Sequence, residues 1–436
     1  ALSSLGYWTD RGGYYYYRTD EGKNYQETLF DLVDHHDGLL PVGYYQLDSW
    51  FYPKGPANSL HGAAMNPEMF RKGGVREWAG DERLLPAGLE GLHDRADVPF
   101  VCHNRWFTAE SVYTDSYEFV TEGTVALPLE AEFWDDLMRE SAEWGLAVYE
   151  QDWLDTQFQH LHYLKTGVDH ASKWLSQMAD AAAANDVAIQ YCMASPPFFL
   201  ESIKHDAVTQ ARVGPDYDPE HPKDFMYPAL TQSSMLASAV GLWPFKDNFR
   251  SSREHGESKP ELECLLSTLL GGPVGPSDKR GTEDVDLLMR TCRADGTLLQ
   301  PSRPLTVADH MFRPHDTYYL TKAETVKGDH TWHHVVAMNI WPDDVEEREI
   351  TLDALDVDGE YVAYEFDSGN IFEMDDTNVT PNLDRDDHAY YVLCPVEDGF
   401  AFVGSPDVFT TCSDRRYPAV TLTDEDITVE VTDLDG

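Results

Sequence analysis

Apolar residues in the first three quarters of the chain form short runs that alternate with longer segments in which apolar residues recur at helical spacing. The short runs predict buried β-strands, and the longer segments predict amphipathic helices. Six of the predicted strands lie at residues 5–10, 39–47, 98–102, 146–149, 187–193 and 209–212. This regular alternation of strand and helix favours an α/β fold of the (β/α)8 TIM barrel type over an open doubly wound sheet.

The pattern changes near residue 325. From there the chain consists of short alternating segments, such as 334–340 and 349–352, which Asp, Gly and Pro turns separate. Such segments are typical of an antiparallel β-sandwich. We therefore expect a (β/α)8 catalytic barrel at 1–325 and a C-terminal antiparallel β-sandwich domain at 326–436. Within the barrel, residues 53–90 are too long for a simple connection and predict an active-site loop or an excursion from the barrel.

Three acidic residues follow one predicted strand in the stretch G-L-A-V-Y-E-Q-D-W-L-D at 145–155. Glu150, Asp152 and Asp155 lie where that strand opens into a loop. The active site of a parallel α/β barrel lies at the carboxyl ends of its strands, so a carboxylate just past a buried strand is a candidate nucleophile or acid/base group. Acidic residues are common in this chain, and the alternative is that these three are solvated loop residues.

The charge balance of the chain is extremely acidic. It has 32 Lys and Arg against 78 Asp and Glu, a net charge of −46, and the acids are spread along the whole sequence. Such a surface repels nucleic acid and anionic membranes, which excludes polyanions as partners. Because salt screens self-repulsion, we expect a protein from a halophile.

Other sequence features exclude several classes of protein and of site. No run of about 18 apolar residues occurs, which excludes a membrane span, and the start at Ala1 without Met is consistent with removal of a leader. Location stays open between cytoplasm and exterior. No metal site is expected, because the His pairs lack zinc spacing, and no dinucleotide motif is present. The six cysteines predict buried free thiols: Cys102, Cys192, Cys264, Cys292, Cys394 and Cys412.

An ordered series of motifs lies between residues 269 and 309: G-G-P-V-G-P-S-D-K-R-G, D-V-D-L-L-M, D-G-T-L-L and R-P-L-T-V-A-D. The series resembles plant raffinose synthases and alkaline α-galactosidases, in which G-G-P-V-Y-x-S-D-K-P-G precedes D-x-x-L-L-K, D-G-S-x-L and R-P-T-x-D. Residues 5–15, 48–50 and 211–217 resemble further motifs of that family. The resemblance covers roughly residues 1 to 310 and implies a (β/α)8 barrel of the α-galactosidase clan, glycoside hydrolase clan D, with a C-terminal β domain.

The resemblance also implies a reaction and the residues that perform it. Members of the family hydrolyse or transfer α-glycosides with retention, using an Asp nucleophile after strand 4 and an Asp acid/base after strand 6. By position these are Asp152 and Asp216. Asp216 keeps the family's spacing of four residues after Arg212, which could hold it or a sugar hydroxyl. Two carboxyls about 5–5.5 Å apart are sufficient for this chemistry, so no cofactor is expected.

Two positions depart from the family pattern. Glu150 stands two residues before the nucleophile, where the family has a Lys that donates to sugar hydroxyls, and Leu47 replaces the first Asp of the D-D-G-W motif. Both changes remove contacts expected for a galactosyl unit. A different or modified sugar is therefore a possible substrate.

The remaining candidate residues lie at or near the predicted strand ends. Four tryptophans are candidates for stacking on sugar faces, with ordinary core packing as the alternative: Trp8, Trp50, Trp106 and Trp243. Four polar residues are candidates for binding hydroxyls: Asp10, Asp48, His103 and Asp247. Asp278, in the best-matched motif, is expected to be either functional or structural, as a cap of the following helix.

The sequence thus predicts a retaining glycoside hydrolase that acts on an α-linked oligosaccharide or glycoside. The first alternative is glycosyl transfer of the raffinose synthase type, which differs only in whether water or a sugar is the acceptor. The second is a non-catalytic glycan-binding protein on a degenerate barrel. The oligomeric state is not predicted.

Overall fold

The computed structural model describes residues 1–15, 18–55, 73–312, 317–341, 349–374, 379–423 and 426–432. The predicted loop at 53–90 falls partly outside these residues, at 56–72. Of the helices that the described ranges contain, none is long and apolar enough to cross a membrane. All six cysteines are free and buried, as predicted.

Seven parallel strands form the central sheet, and they are arranged in the order of the chain. We number these barrel strands β1 (Gly6–Trp8), β2 (Tyr44–Leu47), β3 (Phe100–Asn104), β4 (Leu146–Gln151), β5 (Ala188–Tyr191), β6 (Val208–Arg212) and β7 (Trp243–Phe245). A parallel sheet requires crossover connections, and helices supply most of them.

The segment that follows β7 closes the sheet. The backbone N–H groups of Gly6 and Trp8 donate to the carbonyls of Val274 and Pro276, at 3.1 and 3.0 Å. On its other side the segment forms a parallel bridge between Phe249 and Pro276. Residues 274–277 therefore occupy the eighth position, and the predicted (β/α)8 barrel is confirmed.

Amphipathic helices cover the outside of the barrel. The helix Ala131–Glu143 shows why: its buried residues Phe133, Trp134, Leu137 and Met138 share one face, which packs on the sheet. The helices lie at Tyr25–His36, Gly88–Ala96, Ala131–Glu143, Leu154–His160, Tyr163–Thr166, His170–Ala184, Pro196–Ser202, Lys223–Ala239, Pro260–Leu269 and Val285–Leu288.

A separate small antiparallel sheet lies in the connection between β3 and β4. Its strands are Phe107–Thr108, Phe119–Glu122 and Val125–Pro128. Buried aromatic residues attach it to the helix that follows, because Phe107 packs edge-to-face on Phe133 with ring centroids 5.2 Å apart. The sequence pattern did not indicate this sheet.

The C-terminal part is built on an antiparallel sheet, which confirms the predicted second fold unit. The strands are, in spatial order, Arg303–Val307, Tyr319–Lys327, His330–Met338, His388–Glu397, Tyr361–Glu365 and Ile371–Glu373, with Phe400–Ala401 paired to His388–Glu397. Ala419–Leu422 and Ile427–Glu430 form a two-stranded sheet. The antiparallel sheet begins at Arg303, and residue 325 lies inside its second strand. The domain boundary between residues 325 and 326 stays a prediction.

One predicted strand of this part is absent from the structure. Residues 349–352 form only an isolated bridge between Ile350 and Val379, after which a short 3-10 turn, Asp353–Leu355, begins. Ile350 is buried, and this bridge is its backbone pairing within the described residues.

Candidate active site

A pocket opens at the carboxyl ends of the barrel strands. Its empty volume is about 460 Å3, including solvent at the mouth. Its lining comes from the ends of β3, β4 and β6 and from the loops that follow every numbered strand except β3: Asp10, Arg11, Tyr15, Asp48, Ser49, His103, Glu150, Asp152, Trp153, Cys192, Met193, Arg212, Asp216 and Asp247. The barrel thus brings together eight of the sequence-predicted site residues: Asp10, Asp48, His103, Glu150, Asp152, Arg212, Asp216 and Asp247.

Asp152 follows β4 directly and its carboxylate is bound from two sides. One oxygen accepts a hydrogen bond from His103 Nε2 at 3.0 Å, and the other accepts from the backbone N–H of Trp153 at 2.7 Å. Burial raises the pKa of Asp152, but the hydrogen bond from His103, together with the charge of Arg212, outweighs burial and holds this pKa below its ordinary value. Asp152 is therefore ionised, which a nucleophile requires.

A chain of hydrogen bonds orients His103. Arg105 Nε donates to the hydroxyl of Tyr52 at 3.0 Å, and that hydroxyl lies 3.0 Å from His103 Nδ1. If the tyrosine donates to Nδ1, the ring proton of His103 lies on Nε2 and points at Asp152. Every bond in the chain then directs a donor toward Asp152, which stabilises its negative charge.

Asp216 lies in the loop after β6 and forms two ion pairs. Arg212 Nη2 and Arg11 Nη1 each lie 2.8 Å from one of its carboxylate oxygens. The Asp216 side chain is 47% exposed, so it faces the open part of the pocket, whereas the Asp152 side chain is 14% exposed. Arg212 is the main cause that lowers the pKa of Asp216, and Arg11 adds to it.

Asp247, two residues after β7, holds the loop that carries Asp216. Its carboxylate accepts from the backbone N–H of Tyr217 at 2.6 Å and lies 3.4 Å from Arg212 Nη1. Burial raises the pKa of Asp247, and repulsion from Asp216 adds to this effect, whereas Arg212 lowers it. Arg212 thus bridges the ends of β6 and β7 through two carboxylates.

Three further carboxyl groups, those of Asp10, Asp48 and Glu150, line the floor of the pocket. Gln46 Nε2 lies 3.3 Å from Asp10 Oδ2 and 3.5 Å from Glu150 Oε2. Burial raises the pKa of Glu150, and repulsion from Asp152 and Asp48 raises it further. The pKa of Asp10 is raised by burial and then by Asp48 and Glu150.

Three buried glutamines connect this floor to the far side of the barrel. Gln210 Nε2 donates to Gln190 at 2.5 Å, and Gln190 Nε2 donates to Gln46 at 3.3 Å. Their side chains stand on β6, β5 and β2 and cross the barrel interior beneath the pocket. They support the floor through hydrogen bonds between their amide groups.

The four predicted tryptophans are not among the residues that line the pocket, and core packing describes them better than sugar stacking. Trp8 is buried, donates to the hydroxyl of Tyr44 and packs on Phe245. Trp50 is also buried; it donates to Thr9 and stacks on Tyr25.

The other two tryptophans lie behind the pocket or away from it. Trp106 is wholly buried and packs edge-to-face behind Trp153, at 5.2 Å between centroids. Trp243 begins β7, at the end of the strand opposite the pocket. Periodicity could not show which way each ring faces.

Two functional candidates were missed by sequence reasoning. Trp153 lines the pocket beside Asp152, and its φ of 61° is rare for a bulky residue. An aromatic residue directly after the candidate nucleophile was the available signal. Arg11 was missed because its partner, Asp216, lies 205 residues away in the chain.

The remaining polar candidate, Asp278, does not line the pocket. Asp278 is buried and accepts hydrogen bonds from the backbone N–H and hydroxyl of Ser251, at 2.9 and 2.8 Å. Burial raises the pKa of Asp278 to about 7. It does not cap the following helix, because Asp284 does so by accepting from Leu287 N–H.

Among the described residues, no group of three or more His, Cys, Asp or Glu side chains is arranged to hold a metal ion.

Comparison with known proteins gives structural matches alone. No model of a known family matches the chain, and no curated protein matches it significantly. A glycoside hydrolase family 27 β-L-arabinopyranosidase from Geobacillus stearothermophilus, in complex with arabinose, superposes with a TM-score of 0.61 at 12% identity, over 90% of this chain and 97% of the other. α-Galactosidase I from Mortierella vinacea gives 0.54 at 11% identity, over 91% and 98%.

The fold is that of the α-galactosidase-type glycoside hydrolases. An isomalto-dextranase from Arthrobacter globiformis, in complex with panose, has a similar structure, with a TM-score of 0.57 at 12% identity, over 91% of this chain and 73% of the other. At such identities the likeness establishes the α-galactosidase-type fold and leaves the reaction to be argued from the pocket.

Proposed function

We propose that this protein is a retaining glycoside hydrolase that acts on an α-linked glycoside, with Asp152 as nucleophile and Asp216 as acid/base. The observation that carries the proposal is the placement of two carboxyls of different character in one pocket. Asp152 is buried and bound by His103, whereas Asp216 lies at the more exposed side between two arginines. Retaining glycosidases require such a pair.

In the first step, Asp152 attacks the anomeric carbon while Asp216 gives a proton to the leaving oxygen. The C–O bond to the aglycone breaks and a glycosyl ester of Asp152 forms. In the second step, Asp216 takes a proton from water, which attacks the same carbon and releases Asp152. The carboxyl ends of β4 and β6 supply the two groups, which is where barrel enzymes carry catalytic residues.

Both arginines lower the pKa of Asp216, so its acid form is populated only at low pH. We therefore expect an acidic optimum. A bound aglycone that contacts Arg11 would weaken the Arg11–Asp216 ion pair and return the pKa of Asp216 toward its ordinary value.

The test is turnover of a panel of aryl α-glycosides at high salt. We expect wild-type protein to release the aryl group from at least one sugar and Asp152→Asn to lose that activity by about 10^3-fold or more. Asp155→Asn is the matched control, because Asp155 lies three residues further along the chain, in the helix Leu154–His160, and accepts a hydrogen bond from Ser195 at 2.8 Å outside the pocket. If no glycoside is turned over while glycans still bind, the protein is the glycan-binding alternative.

A further inference from the structure

The cationic hydrogen-bond donors of the pocket already have partners within the protein. Arg212 contacts Asp216 and Asp247, and Arg11 contacts Asp216. His103 lies between Asp152 and Tyr52. These groups therefore offer few free N–H donors to a ligand that enters the pocket.

The floor of the pocket presents acceptors that have few donors. Glu150 is 4% exposed, and its one hydrogen bond among the described residues is the 3.5 Å contact from Gln46 to Oε2. Its Oε1 therefore has no donor in the described part of the chain, although the side chain lines the pocket. Asp10 and Asp48 are 9% and 8% exposed beside it. Burying a carboxyl oxygen that accepts no hydrogen bond costs free energy, unless a ligand supplies a donor.

The lining has more carboxyl groups than cationic groups. Six carboxyl groups line the pocket, and Arg11 and Arg212 are its two permanent cations. Both arginines form their ion pairs with Asp216 and Asp247, and His103 Nε2 lies 4.0 Å from Asp48, so among the described residues Asp10 and Glu150 have no ion-pair partner. A ligand that carries a positive charge would compensate this side of the pocket.

Hydrogen-bond chemistry distinguishes the ligand groups that such a floor accepts. A sugar hydroxyl is both donor and acceptor, so a site for a neutral sugar needs both kinds of partner. A protonated amine has three donors and no acceptor, which matches a floor of carboxyl oxygens.

We propose that the pocket accepts a glycoside whose sugar ring carries a protonated, unacetylated amino group, which binds Glu150 with Asp10 and Asp48 around it. The inference rests on the proposed function and names its substrate class. The amine occupies the floor of the pocket, while the anomeric carbon faces Asp152 and Asp216 nearer the mouth.

The experiment measures monosaccharide binding to wild-type protein, which does not depend on catalysis. Galactosamine, glucosamine and other monoamino sugars are titrated by calorimetry beside their neutral parents and N-acetyl derivatives. We expect at least one amino sugar to bind about 10- to 100-fold more tightly than its parent and its N-acetyl form. Glu150→Gln keeps the shape of the side chain and should abolish most of that preference, whereas Asp155→Asn should retain it.

The outcomes separate this inference from the proposed function. Equal or tighter binding of the neutral parents, or failure of every amino sugar to bind, overturns the amine assignment. Turnover of neutral α-glycosides without an amine preference would leave the hydrolase intact and overturn only the amine assignment. Amine-selective binding without turnover of the matching aryl amino-glycoside would support the assignment and count against hydrolysis. Glu150→Lys should reverse the preference toward neutral sugars.

Discussion

His103 controls the ionisation of the proposed nucleophile. Removing its ring in His103→Ala takes away a charge-assisted hydrogen bond to Asp152, which raises the pKa of that carboxyl. Since the reaction needs ionised Asp152, activity is lost as pH falls through this pKa, so the acid limb of the kcat/KM profile should move to higher pH. We expect kcat/KM near the optimum to fall about 10- to 100-fold.

Tyr52→Phe is a smaller change that affects the same chain of hydrogen bonds. It removes only the hydroxyl that lies 3.0 Å from His103 Nδ1 and leaves the imidazole in place. The acid limb should move in the same direction by a smaller amount. An unchanged acid limb in His103→Ala would show that His103 does not set the ionisation of Asp152.

Arg11 affects the alkaline limb of the pH profile. Its guanidinium helps to hold the pKa of Asp216 low, so Arg11→Met should raise that pKa. Because the first step needs protonated Asp216, activity is lost as pH rises through this pKa, and the alkaline limb should move to higher pH. Arg11→Lys, which keeps the charge, should move it less. The measurement is kcat/KM against pH, and a shift toward lower pH would contradict the assignment of Asp216.

Single residues show what the sequence could and could not predict of the site. Strand-end acids such as Asp152 and Asp247 were predictable, because the carboxyl ends of barrel strands converge on one pocket. Trp8 and Trp50 are buried, in line with the core-packing alternative that the sequence left open, because a ring at a strand end can face the core or the pocket with the same spacing. Arg11 depends on the loop geometry that brings it to Asp216, which no local pattern contains.

At the scale of elements, long apolar runs and helical faces were predicted well. β4 and the helix Ala131–Glu143 were both expected from their spacing. The strand Tyr319–Lys327 was missed although its burial alternates along most of its length. It is stabilised by pairing with His330–Met338, which is a contact outside the local sequence pattern.

Closure of the barrel depends on close packing between its first strand and the segment 274–277. A Cβ added to Gly275 would lie 2.2 Å from the ring of Trp8, which is buried and cannot move aside. Gly275→Ala should therefore lower the free energy of unfolding by about 1–3 kcal/mol. Denaturant unfolding at high salt measures it. Gly80→Ala is the control, since its added Cβ would meet Leu89 at 3.3 Å; equal stability of the two variants would contradict the closure.

At the scale of the whole molecule, the net charge of −46 is the dominant feature. The Debye length falls from about 10 Å at 0.1 M salt to about 3 Å at 1 M, so salt removes most of the repulsion between surface carboxylates. We expect the Tm to rise by several degrees between dilute buffer and molar KCl, with sucrose as a control for general exclusion effects. A protein that is folded and monodisperse in dilute buffer, with an unchanged Tm, would contradict a halophilic origin.

The central claim is that Asp152 forms a covalent bond to the sugar and Asp216 assists. The most direct measurement is mass spectrometry of Asp216→Ala after incubation with an aryl α-glycoside whose leaving group needs no proton. The glycosyl ester should accumulate, because Asp216 is no longer present to activate water. We predict one added glycosyl mass, located by peptide mapping on Asp152. A glycosyl group on another carboxyl, or turnover with inversion and no adduct, would contradict the account.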